Sequence, residues 1–255
     1  MSAVLSVKGL NKVYQNGSDN QQHILKDIDL EVGRGEFIAV MGQSGSGKST
    51  LLYNISGMDR LTSGQVFFDG QELGGRSESE LAALRLNKMG FIFQQSNLLK
   101  NLSILDNIML ASYLRKKESR RTIQNRARNL MKHTGILSLA DHDITQASGG
   151  QLQRASICRA LLNSPEILFG DEPTGALNSG ATGEVMDILA SVNEAGTTIV
   201  LVTHDAKVAA RTERVIFMAD GVIAGEKRLG KYDHRSGDKN EREAELAEWL
   251  AVHGF

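Results

Sequence analysis

Three short stretches of the chain carry mainly apolar residues on consecutive positions rather than on alternate ones. They span residues 37–41, 167–169 and 198–202. Runs of this kind are typical of strands that are buried on both faces, as in a parallel sheet covered by helices. A glycine or a polar turn follows each run, and the first and third runs then lead into helix-like sequence. The pattern predicts a doubly wound α/β fold, in which ligands gather at the carboxyl ends of the strands.

Two regions depart from this alternation of strands and helices. Residues 5–14 and 24–32 are expected to form antiparallel strands, separated by the turn-rich residues 15–20. Between about residues 103 and 164 the strand pattern gives way to a helical one. The sequence therefore predicts an N-terminal antiparallel β subdomain and a helical subdomain inserted into the parallel-sheet core.

The end of the chain is expected to form a tail over residues 226–255. The domain before it spans residues 1–225, with the helical insertion at about 96–164. The tail is polar as far as Glu241 and then has the pattern of a short amphipathic helix. Its apolar residues share one helix face at spacings of three and four: Leu246, Trp249 and Leu250. We expect this face to dock on the chain's own core.

Basic residues cluster in the first half of the predicted helical insertion. They are Arg115, Lys116, Lys117, Arg120, Arg121, Arg126, Arg128 and Lys132, against the single acidic residue Glu118. One interpretation is a solvated helix face, and the other is a face directed toward anionic lipid headgroups.

Composition and charge narrow the class of protein. The chain has 255 residues, and its 29 basic and 30 acidic side chains nearly cancel, so no overall charge indicates a nucleic-acid partner. The single cysteine, Cys158, excludes a disulfide framework. The first residues lack a signal-peptide core, and no window approaches the roughly 18 apolar residues of a membrane span. We therefore expect a soluble, cytoplasmic chain that contacts a membrane only through a partner.

Residues 42–50 match the phosphate-loop pattern G-x-x-x-x-G-K-[ST] between a predicted strand and a helical stretch, which is the context that the motif requires. Its members are Gly42, Gln43, Ser44, Gly45, Ser46, Gly47, Lys48, Ser49 and Thr50. The glycines let backbone N–H groups point inward, and the helix N-terminus adds positive potential. Lys48 is expected to reach the β- and γ-phosphates, and the Ser49 hydroxyl to ligate Mg²⁺. The motif predicts nucleotide binding.

Two further motifs bear on the chemistry. Asp171 and Glu172 end an apolar run, so that Asp171 can hold Mg²⁺ and Glu172 can orient the attacking water near the γ-phosphate. The residues Ser148, Gly149, Gly150 and Gln151 begin a predicted helix, with Ser148 as its cap, and form a second anion-binding helix end. One phosphate loop already serves one triphosphate. The second helix end is therefore expected to meet a nucleotide held by another subunit.

The segment Ala147–Gln151, written A-S-G-G-Q, resembles the signature motif of ATP-binding-cassette (ABC) proteins, usually L-S-G-G-Q. The resemblance covers nearly the whole chain in the family's order. It implies a P-loop NTPase (RecA-like) core, ATP and Mg²⁺ as cofactors, and ATP hydrolysis. It also implies that Tyr14 stacks on adenine and that Gln94, at the helical insertion, senses Mg²⁺ and the γ-phosphate. His204 is implied to contact the γ-phosphate, while residues 175–178 cross a dimer interface.

Within that family the chain is similar to ATPases paired with FtsX-like permeases. The segments that carry this similarity are residues 90–94, 97–99 and 171–177 and the insertion around 16–22. The similarity implies a homodimer around two ATP molecules, on the inner face of the cell membrane, that drives export or extraction of a peptide, antibiotic or lipoprotein. The alternative is an ATP-driven switch that gates a signalling or cell-wall-regulating complex without moving cargo.

A third possibility, a soluble cassette that works on DNA or ribosomes, is disfavoured because the sequence has no long coiled coil, second cassette or net basic charge. The remaining histidines show no metal-ligand spacing and are expected to be structural: His23, His133, His142, His234 and His253.

Three residues depart from the family pattern. Ala147 replaces a leucine, and we expect binding to survive because the phosphate-facing residues after it remain. Asn178 replaces an aspartate and keeps its capacity for hydrogen bonding without the charge. Gly170, before Asp171, is also unusual, and the sequence alone provides no reason for it.

Overall fold

The computed structural model describes residues 3–16, 20–233 and 238–255. Its strands are β1 Ala3–Asn16, β2 Asn20–Gly33, β3 Phe37–Met41, β4 Ser63–Phe68, β5 Gln71–Glu72, β6 Met89–Phe93, β7 Ile167–Asp171, β8 Thr198–Val202, β9 Arg214–Ala219 and β10 Val222–Arg228. Its helices are α1 Lys48–Ile55, α2 Glu78–Lys88, α3 Ile104–Arg115, α4 Arg120–His133, α5 Gly149–Leu161, α6 Ser179–Glu194, α7 Ala206–Ala209 and α8 Lys239–Val252.

The central sheet has six strands in the order β10-β9-β3-β8-β7-β6. All the pairs from β9 to β6 are parallel, and only β10 runs antiparallel to its neighbour. Every residue of β3 and β8 is buried. This double-sided burial explains the consecutive apolar positions, because a strand covered by helices on both faces has no solvent face. The predicted α/β fold with a parallel core is confirmed.

The N-terminal region forms a second, antiparallel sheet of four strands in the order β2-β1-β4-β5. Strands β1 and β2 pair antiparallel, as predicted, but both extend beyond the predicted segments. The added residues at the hairpin end are polar, so the apolar pattern gives no signal for them. Residues 17–19 lie outside the described residues. They belong both to the predicted turn and to the insertion around 16–22.

Helices α3, α4 and α5 pack around a hydrophobic cluster of their own, which includes Ile108, Ile123, Met131 and Cys158. The buried residues of α4 are Ile123, Ala127 and Met131, so its basic positions lie on the remaining faces. Two of these basic residues are ion-paired, Arg126 with Glu118 and Arg128 with Asp141. None of the helices described by the structure is both long enough and apolar enough to cross a bilayer.

Helix α8 docks on the chain's own core, as predicted. Leu246 and Leu250 are buried in a cluster with residues of β3, α7 and β9, and Trp249 packs against it. The buried Arg242 guanidinium donates hydrogen bonds to four backbone carbonyls, those of Ala210, Thr212, Leu229 and Gly230. Helix α8 is therefore fixed to the sheet domain by apolar packing and by satisfied polar groups.

The unusual Gly170 has a steric explanation. It lies directly opposite Leu201 in the β7–β8 pairing. A Cβ atom at residue 170 would lie 2.8 Å from Leu201 Cδ1 and 3.4 Å from Pro173 Cγ. Since both neighbours are packed in place, the missing side chain makes room for a leucine at residue 201.

We predict that Gly170→Ala lowers the free energy of unfolding by about 1–3 kcal/mol, the usual cost of overpacking a core. Gly170→Ala combined with Leu201→Val should recover most of that loss, because the shorter side chain frees the space that the new methyl group needs. Urea denaturation of the two single variants and the double variant provides the comparison. Strictly additive losses would contradict a direct clash between the two side chains.

Candidate functional site

The phosphate loop joins the end of β3 to the start of α1, as the motif predicts. Gly47 occupies the N-cap position of α1 with a φ of 100°, a left-handed conformation that favours glycine. At Gly42 a Cβ atom would lie 2.2 Å from the Met218 carbonyl oxygen, so only glycine fits there. The Lys48 ammonium donates to the carbonyls of Gly42 and Gln43, each at 2.8 Å. These contacts keep the Lys48 side chain folded against the phosphate loop.

The charge of Lys48 is set by two opposing effects. Burial lowers the pKa of the Lys48 ammonium, while the nearby carboxylates of Glu172 and Asp171 raise it, and the net shift is downward. A cation and two carboxylates thus share one small region of the protein.

A cavity of about 730 Å³ opens above the phosphate loop. It is lined by Ile24, Gly42, Gln43, Ser44, Gly45, Gly47, Lys48, Ser49, Thr50, Glu172, His204 and Phe255. The structure therefore brings most of the sequence-predicted loop residues to one cavity, together with Glu172 and His204. Ser46 is buried beneath it, with a hydroxyl oxygen that has no hydrogen-bond partner in the described part of the chain.

Asp171, at the end of β7, is hydrogen-bonded through both carboxylate oxygens. Ser49 donates to its Oδ1 at 2.8 Å, and Tyr53 donates to its Oδ2 at 2.6 Å. Burial, followed by the Asp171 contact, raises the pKa of Tyr53 to about 12, so its phenol remains a donor at neutral pH. The Ser49 and Asp171 oxygens are adjacent hard ligands of the kind that Mg²⁺ prefers, and they fit the predicted ion.

Glu172 and His204 form a pair across the ends of β7 and β8. His204 Nδ1 lies 3.1 Å from Glu172 Oε1. Glu172 has a φ of 47°, which is uncommon for a residue other than glycine, and its N–H donates to the Val202 carbonyl at 2.9 Å. A Cβ atom at Gly175 would lie 3.0 Å from Gln94 Nε2 and 3.3 Å from Glu172 Oε2. The side chains of Gln94 and Glu172 therefore lie next to Gly175, and His204 contacts the other oxygen of the Glu172 carboxylate.

The segment Ser148–Gln151 forms a complete capping box at the start of α5. The Gln151 N–H donates to Ser148 Oγ, and the Ser148 N–H donates to Gln151 Oε1 at 2.8 Å. Ser148 and Gly149 are exposed. None of these residues is among the described residues that line the phosphate-loop cavity. Within one chain, the helix end at Ser148 is therefore separate from the phosphate loop.

Tyr14 lies beside the cavity without lining it. Its hydroxyl donates to Asp59 Oδ2 at 2.5 Å, and 38% of the residue is exposed. Thr50, the last residue of the phosphate loop, lies close enough to the Tyr14 hydroxyl to offset part of the rise in its pKa, so this hydroxyl is next to the loop.

The sequence did not predict the two side chains that hold the backbone on either side of Gln94. The Gln153 amide of α5 donates to the Phe93 carbonyl at 3.0 Å. The Arg159 guanidinium, also on α5, donates to the carbonyls of Ser96 and Asn97 at 2.6 Å and 2.8 Å. No local pattern could identify these contacts, because the partners are about 60 residues apart in the chain.

The cavity residue Phe255 was also missed. Its ring packs edge-on against Phe217, at a centroid distance of 5.9 Å. The Gln43 amide donates to the Gly254 carbonyl at 3.2 Å. Helix α8 thus places the residues that follow it, Gly254 and Phe255, against the phosphate loop. No motif in the sequence predicts this contact.

The two remaining departures also have structural roles. Asn178 is the N-cap of α6, and its Oδ1 accepts from the Ala181 N–H at 2.9 Å. Asparagine and aspartate are equally good caps, so the expected hydrogen-bonding capacity is used. Ala147 packs against the hydrophobic cluster of the helical region.

Among the other histidines, three hydrogen-bond protein oxygens: His23, His133 and His253. His234 lies outside the described residues.

Comparison with known sequences gives one consistent group of relatives. The family described as ABC transporter matches residues 25–175. The chain is 44% identical over 229 residues to the macrolide export ATP-binding/permease protein MacB 1/2 of Paracoccus denitrificans, covering 89% of this chain and 34% of that protein. It is also 44% identical over 221 residues to MacB of Aggregatibacter actinomycetemcomitans, covering 86% of this chain and 34% of that protein. The chain thus spans 34% of the length of these curated relatives.

Solved structures show the same fold. The ATP-binding cassette MJ0796, a dimer in a post-hydrolysis state bound to ADP and Pi, superimposes with a TM-score of 0.83 at 38% identity. That match covers 89% of this chain and 100% of MJ0796. The cbiO1 protein of Clostridium perfringens, part of the ABC transporter complex cbiONQ, gives a TM-score of 0.81 at 28% identity, covering 99% of this chain and 96% of that one.

The contact between α8 and the phosphate loop predicts a fluorescence signal. Trp249 is the only tryptophan, and its ring lies 4.3 Å from that of His253, one residue before Gly254. A triphosphate that engages the loop at Gln43 should disturb this segment and change Trp249 emission in a saturable way.

Titration with ATP in a fluorimeter tests this prediction. Lys48→Ala should abolish the response by removing the phosphate contact, and Phe255→Ala should reduce it while leaving binding intact by calorimetry. A full response in Phe255→Ala would show that the signal does not pass through this segment.

Proposed function

Because the chain belongs to the ABC transporter family and is an ATPase, we propose that two copies close around two ATP molecules and drive movement in a membrane permease. The observation that carries this proposal is the separation of the two anion-binding helix ends. The exposed end at Ser148 and Gly149 does not line the cavity over the chain's own Lys48. A second copy, turned about a two-fold axis, would bring its Ser148 helix end to the first copy's phosphate loop.

Each copy would bind ATP mainly through its phosphate loop. The N–H groups of the loop and of the α1 N-terminus favour an anion at this place, and Lys48 would donate to the β- and γ-phosphates. The residues proposed to contact the nucleotide from the same chain are Tyr14, Gly42, Ser44, Gly45, Ser46, Gly47, Lys48, Ser49 and Thr50. From the partner copy, Ser148, Gly149, Gly150 and Gln151 would contact the γ-phosphate.

A magnesium ion is part of the proposal. Ser49, Asp171 and Gln94 would hold it, directly or through water. The described residues contain no other candidate metal site made of three or more His, Cys, Asp or Glu side chains. When bound, the ion would neutralise charge on the phosphates.

Hydrolysis would depend on the pair formed by Glu172 and His204. The Glu172 carboxylate would orient a water molecule and accept its proton as water attacks the γ-phosphorus and the bond to the β-phosphate oxygen breaks. The products are ADP and phosphate. His204, 3.1 Å from Glu172, would hold that carboxylate and contact the γ-phosphate, while Gln94 lies on the other side of the same carboxylate.

The helical insertion, proposed at about residues 96–164, would transmit the movement. It carries Ser148 at one helix end, and α5 holds the backbone on either side of Gln94, through Gln153 before it and Arg159 after it. The residues before and after it would form the remainder of an ATPase domain over 1–225, followed by the tail over 226–255.

For the partner we propose a permease of the FtsX-like type and a location on the inner face of the cell membrane. The support is the similarity to proteins named macrolide export ATP-binding/permease proteins. The cargo would be an antibiotic, a peptide or a lipoprotein. The helical region exposes Leu99 and Leu114, with 47% and 68% of their surface in solvent, which suits contact with another protein. Nothing observed favours the alternative of a switch without cargo or a nucleic-acid partner.

We predict that Glu172→Gln traps an ATP-bound dimer. The substitution removes the proton acceptor and should lower kcat for hydrolysis by about 10²- to 10⁴-fold. ATP binding and closure should persist, since the amide keeps the size of the carboxylate. Size-exclusion chromatography with light scattering, in ATP and Mg²⁺, measures the mass.

Two variants serve as controls for this prediction. Glu194→Gln, an exposed glutamate at the end of α6, should hydrolyse ATP and elute as the native chain does. Lys48→Ala in the Glu172→Gln background should remain monomeric. A monomeric Glu172→Gln chain that binds ATP would refute the proposed roles of Glu172 and Ser148.

The same Glu172→Gln chain tests the partner. A tagged form, purified with ATP from detergent-solubilised membranes of its own organism, should retain a membrane permease in stoichiometric amount by mass spectrometry. Recovery of ribosomal or DNA-repair proteins, or of no partner, would refute the transport proposal and leave only the ATP-driven dimer.

A further inference from the structure

Tyr14 is held by a small polar cluster that the proposed mechanism does not use. Lys12 and Tyr14 lie on β1, and Asp59 and Arg60 follow α1. The segment after α1 is fixed to β1, because the Thr62 N–H donates to the Asn11 carbonyl at 2.9 Å and the Val13 N–H donates to Thr62 Oγ1 at 2.9 Å. The strand and the segment therefore form one rigid unit beside the phosphate loop.

Asp59 is the centre of this cluster. Its Oδ2 accepts the Tyr14 hydroxyl at 2.5 Å, and its Oδ1 accepts Lys12 Nζ at 2.9 Å. Lys12 Nζ also donates to the Arg60 carbonyl at 2.6 Å and lies 4.5 Å from the centre of the Tyr14 ring. One carboxylate thus fixes both the hydroxyl end of the ring and the cation on one of its faces.

The pKa shifts of Tyr14 and Asp59 are consistent with these hydrogen bonds. Burial, the hydrogen bond to Asp59 and the Asp59 charge raise the pKa of Tyr14 to about 12, so the phenol stays a donor. Burial alone would raise the pKa of Asp59, but the hydrogen bonds from Tyr14, Lys12 and the Arg60 backbone outweigh it and lower that pKa. At neutral pH the cluster is an ion pair with a neutral phenol.

We infer that Asp59 is a positioning residue for the nucleobase of ATP, which fixes the Tyr14 ring with Lys12 against one face and leaves the other for adenine. The inference rests on the proposed stacking role of Tyr14. Lys12 is buried, whereas Tyr14 is exposed, so the face away from Lys12 is the accessible one. A cation draws π density toward its own side and makes the opposite face a better partner for an electron-rich purine.

A fixed Tyr14 ring lowers the entropic cost of ATP binding, because this side chain does not have to be ordered when the base binds. Removing the carboxylate should therefore weaken ATP binding about 2- to 12-fold, the range that corresponds to ordering one side chain. The phosphate contacts of the loop should be unaffected. Binding of a ligand without a base should thus stay the same.

The test compares Asp59→Ala, Asp59→Asn and Asp141→Asn, the last an exposed aspartate in the helical region. Calorimetry measures Kd for ATP and for inorganic tripolyphosphate, and steady-state assays measure KM and kcat for the whole chain. We expect Asp59→Ala to raise Kd and KM for ATP without changing kcat or tripolyphosphate binding. Asp59→Asn, which keeps an acceptor for Tyr14, should recover part of the loss, and Asp141→Asn should match the native chain.

Variants at Tyr14 separate this inference from the proposal on which it rests. If Tyr14→Ala leaves the Kd for ATP unchanged, the stacking role itself is wrong. If Tyr14→Ala weakens ATP binding while Asp59→Ala and Tyr14→Phe do not, only the positioning role is wrong. Tyr14→Phe keeps the ring and removes only the hydroxyl that Asp59 holds, so it decides the question even where Asp59→Ala fails to fold. An equal loss of tripolyphosphate binding in Asp59→Ala would also overturn the inference, because it would indicate general damage to the loop.

Discussion

The register of the parallel sheet is the constraint on which the rest of the site depends. Phe93 pairs with Asp171, Asp171 with Val202, and Val202 with Val40, so that the ends of β6, β7, β8 and β3 form one row. The residues that follow this row are the polar groups of the site. Because parallel strands leave the sheet at the same edge, the strand ends bring Gln94, Glu172, His204 and the phosphate loop to one side of the protein. A shift of one residue in any strand would exchange the side chains that face the two covering layers and would displace the loop that follows the strand.

Much of this could be predicted from the sequence because the signals are local. A strand buried on both faces shows as a short apolar run, and the phosphate loop and the Ser148 cap are defined by neighbouring residues. What could not be predicted depends on contacts between distant parts of the chain. Gly170 is explained only by Leu201 on the adjacent strand, and Phe255 reaches the phosphate loop only because α8 packs on β9. The extra residues at the hairpin end of β1 and β2 are polar and continue the strands through backbone pairing, which carries no side-chain pattern.

The separation of the two anion-binding helix ends has a mechanical consequence. If one chain held both helix ends on the same nucleotide, loss of the γ-phosphate would not change how that chain associates with a second copy. In the proposed pair the ends lie on different copies, so the γ-phosphate itself would be part of the interface and its contacts would exist only in the closed pair. In the proposed pair helix α5 would have two connections. Its N-terminus at Ser148 would meet the partner's nucleotide, while its side chains at Gln153 and Arg159 hold the backbone on either side of its own Gln94.

Those two connections explain how one helix can couple the sites. In the proposed mechanism, movement of α5 toward a partner would carry the segment around Gln94, because three hydrogen bonds join Gln153 and Arg159 to backbone carbonyls on either side of Gln94. Arg159 is partly buried, and this burial lowers the pKa of its guanidinium, so losing its carbonyl acceptors would be costly. Gln94 in turn lies next to Glu172 at Gly175, where the absence of a side chain permits the close approach. In the proposed mechanism, closure of the pair and alignment of the hydrolytic groups would therefore be one movement rather than two, since the same helix would carry both.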